Sequence, residues 1–111
     1  RDHQEVLWRA RNLPPETRVY LFTNEFAYTP HFQGMNRYWG TQIDVQIITD
    51  GTDAFAPPPD GVPLALFVNP QDVLTIVELG RMFDLPEPVF SPYNVPADRQ
   101  YALFYVPEAV R

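Results

Sequence analysis

Two rhythms of apolar and polar positions run along the chain. Val6, Leu7, Ala10 and Leu13 recur at i, i+1, i+4 and i+7, which is one stripe of an amphipathic helix. Asp2 stands ahead of that stripe and Glu5 three residues later, the spacing of a capping box. Pro14-Pro15 stops the helix. The rhythm then changes. Arg18-Val19-Tyr20-Leu21-Phe22-Thr23 is a nearly unbroken β-prone run, as expected of a strand covered on both faces. Asn24-Glu25 ends it. Thr29-Pro30 offers a cap and a first-turn proline to a second helix. Its inner face would be Phe32, Met35 and Trp39, with Gly40 as its stop and Gly34 weakening its middle.

The second half repeats the alternation. Residues 44–49 read as a strand, residues 50–62 as an irregular loop around Pro57-Pro58-Pro59, and residues 63–68 as a third strand. Asn69-Pro70-Gln71-Asp72 is a helix start, with Asn69 as cap and Pro70 in first position. Val73, Leu74, Ile76, Val77, Leu79, Met82 and Phe83 make the following helix apolar around much of its girth and predict heavy burial. Residues 88–91 and 100–106 read as closing strands. The link between them is too short for a helical crossover, so they are expected to pair antiparallel. The order α-β-α-β-β-α-β-β predicts an α/β fold with three αβα layers. Its sheet would be mostly parallel and twisted, of about five strands, with an antiparallel edge hairpin. Residues 1–111 form one soluble domain in this reading.

Composition narrows the partners. A chain of 111 residues can bury roughly two thirds of its unfolded surface, enough for its own core. Net charge is −6, and all 8 basic residues are Arg. Nucleic acid is therefore a poor partner, because such affinity rests on neutralised phosphates. Without Cys there is no disulfide framework, thiolate metal site or cysteine nucleophile. No apolar run approaches the roughly 20 residues that span a bilayer. The first residue is Arg1 rather than Met, so the chain reads as a piece of something longer.

In an open parallel sheet, ligands bind beyond the carboxyl ends of the strands. Here those ends carry Asn24 and Glu25, then Asp50, then Asn69 with Asp72 close behind. This row, with Tyr28 in the loop after the first strand, is the candidate ligand site. The plainer reading is favoured: each polar residue caps a helix or forms a turn, as these positions require anyway. Five aromatics, Phe26, Tyr28, Phe32, Tyr38 and Trp39, crowd the same region. Phe32 and Trp39 suit a core, whereas Phe26 and Tyr28 are placed to stack on a sugar or a partner.

Other chemistries lack their residues. The first βα turn has no glycine-rich phosphate cradle, and no GxGxxG or GxxxxGK occurs. A phospho-acceptor receiver would need a Lys. Ser91 has no glycine-flanked elbow. His3 and His31 are isolated, so no metal site is expected. Asp50, Thr52 and Asp53 hint at a calcium loop, but its twelfth place holds Gly61 where a bidentate Glu belongs. Glu25 and Asp50 are a conceivable acid pair with unspecified separation. No cofactor and no catalytic residue is assigned.

The run Leu7-Trp8-Arg9-Ala10-Arg11-Asn12-Leu13-Pro14-Pro15-Glu16-Thr17-Arg18-Val19-Tyr20 resembles a pattern that follows the last membrane helix of polytopic GT-C glycosyltransferases. These are the dolichyl-phosphate-mannose–protein mannosyltransferase and aminoarabinose transferase relatives. Tyr38-Trp39-Gly40, the strand at 45–49, the strand at 64–68 with Asn69-Pro70, and Tyr101-Ala102-Leu103-Phe104 follow the same order. Pro30 departs from it, standing where the family's helix is already running. The resemblance implies a non-catalytic accessory domain on the extracytoplasmic face of the membrane. Its partner would be the transmembrane module of the parent chain, with an acceptor glycan or protein beside it. The parent would transfer a sugar from a polyprenyl phosphate, its catalytic acid lying outside these residues. The alternative is a free-standing α/β domain that binds a small ligand at the carboxyl edge.

Overall fold

A computed structural model describes residues 3–23, 32–34, 36–37, 43–49, 51–53, 55–58, 61–85, 87–90 and 100–107. Helix α1 is His3–Ala10. The strands are β1 (Arg18–Phe22), β2 (Val45–Ile48), β3 (Leu64–Val68) and β4 (Ala102–Val106). Helix α2, Val73–Met82, lies between β3 and β4. Residues 32–34 and 36–37 are also helical, within the second helix expected from the sequence.

The four strands form one sheet in the order β2-β1-β3-β4. β1 pairs parallel with both β2 and β3, and β4 runs antiparallel to β3. The architecture is thus mixed α/β, mostly parallel, with one antiparallel pair of strands. Of the expected hairpin partner at 88–91, the described part contributes a single antiparallel bridge. Val89 and Leu103 exchange both backbone hydrogen bonds at 2.8 Å.

Successive strand residues point to opposite faces, and both faces are apolar. Val19, Leu21, Ala65, Phe67 and Leu103 gather with Val6, Leu7 and Ala10 of α1 and with Phe32. Tyr20, Phe22, Leu64, Leu66, Val68 and Phe104 gather with Leu79 of α2 and with Phe55. This explains why β1 and β3 read as continuous apolar runs rather than alternating ones. The connection from β2 to β3 must pass over β1, because β3 lies on the far side of it. Phe55 anchors that passage, its ring edge-on to both Tyr20 and Phe22 at 5.1 Å.

Helix α2 departs from expectation in two ways. First, it begins three residues later, with Asp72 as its cap. Asp72 accepts from the Thr75 backbone N–H at 3.3 Å and from the Thr75 hydroxyl at 2.7 Å. Asn69 instead closes a turn around Pro70, its side-chain oxygen taking the Gln71 N–H at 2.9 Å. Asp72→Ala is expected to destabilise by about 1 kcal/mol, measured by urea unfolding. A change below a few tenths would deny Asp72 the cap.

Second, α2 is not heavily buried. Thr75 and Leu79, four apart, face the sheet, while Val73 and Leu74 are 64% and 69% exposed. A helix lying on a sheet buries one stripe, and seven apolar residues in eleven positions cannot share it.

Inside α1 the stripe is as expected, with Val6, Leu7 and Ala10 buried. Two charged residues are buried with it. Glu5 is 0% and Arg9 5% exposed, and Arg9 Nη1 meets Glu5 Oε1 at 3.2 Å. Arg9 also donates to the carbonyls of Tyr101 at 2.6 Å and Val89 at 2.8 Å. One guanidinium therefore ties α1 to the chain on either side of the Val89–Leu103 bridge.

Candidate functional site

Two places on the sheet deserve comparison as sites, one at each end of the strands. At the carboxyl end, the chain leaves β1 toward the helical residues 32–34 and 36–37, of which Phe32 packs on the α1 side. It leaves β3 toward α2, whose Leu79 packs on the opposite side. Neighbouring parallel strands whose connections depart to opposite faces open a crevice between them, the usual ligand position in such sheets. The sequence row was aimed at this crevice.

Of that row, Asn24, Glu25, Tyr28 and Asp50 lie outside the described residues. Asn69 is described, directly after β3, half-buried and engaged in its turn. Asp72 is committed to Thr75. For these two, the capping and turn role accounts for the side-chain oxygens that bond. The β2 side is held against α2: Thr52 donates its hydroxyl to Glu78 Oε2. Gly51, at φ +63°, makes the turn that brings this segment in, and a Cβ there would lie 3.6 Å from Thr75 Oγ1.

The opposite end holds a cleft that the sequence reading missed. It has a volume of about 590 Å³ and lies where the chain passes from α1 into β1, beside the start of β2. Ala10, Leu13, Val19 and Ile43 supply its apolar lining. Arg11, Arg18 and Asp44 supply charge, and Thr17 and Gln46 neutral polar groups. The one available signal was the pair of arginines, Arg11 and Arg18, flanking Leu13-Pro14-Pro15.

The cleft's walls are held by backbone bonds. Leu13 N–H reaches the Ala10 carbonyl and Thr17 N–H the Pro14 carbonyl, both at 3.0 Å. Arg18 N–H bonds the Pro63 carbonyl at 2.9 Å, joining the wall to the foot of β3. On the other side Asn36 clamps Ile43, donating to its carbonyl at 2.5 Å and accepting from its N–H at 3.3 Å. Thr17 Oγ1 is buried and has no hydrogen-bond partner among the described residues.

Among the described residues, no three His, Cys, Asp or Glu side chains come together as metal ligands. No helix of the described residues is long and apolar enough to cross a membrane. Compared with known families, curated proteins and solved structures, the chain matches none.

Proposed function

We propose that this chain is a non-catalytic accessory domain of a polytopic membrane glycosyltransferase that uses polyprenyl-phosphate sugars. It would sit on the extracytoplasmic face of the membrane, against the transmembrane module, and cover that module or orient an acceptor. The observation that carries the reading is the order of short elements. An amphipathic helix, Leu13-Pro14-Pro15, a buried strand, a helical stretch, a strand, a loop, a strand ending in Asn69-Pro70, a helix and a closing strand follow one another, as in the family pattern. The use of Asp72 and of the Asn69 oxygen in the α2 start also suits a domain that performs no chemistry of its own. In this reading the sheet has three αβα layers, and the bridge at Val89 is the described end of a fifth, antiparallel strand.

The coding sequence upstream of Arg1 tests it. About ten consecutive apolar spans, each of roughly 20 residues, are expected in frame. A start codon immediately before Arg1, with no spans, would overturn the proposal. One observation favours a second reading, a free-standing domain that binds a small ligand: the chain leaves the neighbouring parallel strands β1 and β3 toward opposite faces, the arrangement at which such sheets bind ligands. That reading gains if the upstream spans are missing.

A further inference from the structure

The cleft at the amino ends of β1 and β2 has the size and lining of a small-molecule site, and neither end of the reading above uses it. We propose that it binds a small zwitterion with an apolar body, of the class of an apolar amino acid or dipeptide. The inference stands whether or not the parent is a membrane enzyme.

Three observations converge. The volume of about 590 Å³ lies within the range of small-molecule pockets. Ala10, Leu13, Val19 and Ile43 give an apolar surface on which an aliphatic side chain gains by leaving water. Arg11 lines the cleft, with Arg18 also in the wall, in a molecule of net charge −6. A guanidinium fork suits a planar carboxylate.

The sign of the charges selects the class. A simple anion would be drawn to Arg11 but repelled by Asp44. A simple cation would be repelled by both arginines. A molecule with a carboxylate at one end and an ammonium at the other satisfies both sets. The lining is also preorganised. The Pro14 turn and the Asn36 clamp on Ile43 are closed by hydrogen bonds, so little ordering is left for binding to impose.

The test is an amide-shift titration of the 15N-labelled chain with leucyl-leucine, read at Leu13, Thr17, Val19 and Ile43. N-acetyl-leucyl-leucine lacks the ammonium and leucyl-leucinamide lacks the carboxylate. The expected result is saturable perturbation centred on those four amides, with at least tenfold weaker binding of each blocked probe. Asp44→Asn should weaken leucyl-leucine and strengthen N-acetyl-leucyl-leucine, from which it lifts a repulsion. Arg11→Gln should weaken leucyl-leucine and strengthen leucyl-leucinamide, from which it lifts a repulsion. Both residues are exposed, so the fold survives either change. Absence of saturation at millimolar probe, perturbation centred elsewhere, or equal affinity for the three probes would overturn the proposal.

Discussion

Arg9→Met is expected to cost about 3–5 kcal/mol, because it removes the cation from a fully buried carboxylate. Glu5 is 0% exposed and has Arg9 at 3.2 Å. The same substitution takes both donors away from the carbonyls of Tyr101 and Val89, so the loss spreads from α1 to β4 and its bridge. Domains of this size are stable by about 5–15 kcal/mol. Urea unfolding should therefore show a large fall in midpoint, and a weak parent would unfold outright. The doubly apolar variant Glu5→Leu/Arg9→Met should recover more than half of the loss, since removing both charges leaves neither one stranded. A single variant within 1 kcal/mol of the parent would show that Glu5 is hydrated or neutralised by other means.

The second large effect is expected at Phe67. It sits on β3, which is paired on both sides, by β1 and β4. Its side chain is fully buried in the core beneath α1. Phe67→Ala should cost about 3–5 kcal/mol, as lost transfer energy plus the cavity left behind. At about 4 °C per kcal/mol for a domain of this length, the melting temperature should drop by roughly 12–20 °C. Phe67→Leu should cost much less, because it keeps most of the volume. The two large effects are coupled. The Arg9 guanidinium carbon stands 5.5 Å from the centroid of the Phe67 ring, so the ring helps hold the buried cation. Combining Phe67→Ala with Arg9→Met should cost less than the sum, by roughly 0.5–3 kcal/mol. Strict additivity would show that the contact carries no energy.

Particular residues show how far the sequence could be read. The bounds of β1, β2, β3 and β4 fall within one or two residues of the expected runs, because local apolar continuity reflects burial on both faces. The start of α2 was misassigned among near neighbours. Asn69 and Asp72 both have capping chemistry, and Asp72 prevails because Thr75 offers it a backbone and a hydroxyl donor together. The burial of α2 was overstated, since an apolar count along a helix does not say which stripe meets the sheet. Glu5 and Arg9 were visible as an i, i+4 pair of opposite charge. Their burial was not, because the acceptors that hold Arg9 lie 80 and 92 residues away.

The same division separates the two candidate sites. Strand ends can be found from turn residues, so the carboxyl-edge row could be named in advance. The amino-edge cleft is assembled from two separated stretches, residues 10–19 and 43–46, and no periodicity joins them.

The sequence by itself determined the four strands, the helices α1 and α2 to within a few residues and the α/β class, since each follows from interactions among residues close along the chain. Only the tertiary structure decided the strand order β2-β1-β3-β4, the placing of α1 and α2 against opposite faces, the inward turn of Glu5 and Arg9, and the cleft between α1 and β2. These depend on which distant surfaces bury each other, and that is settled by packing in three dimensions rather than by local preference.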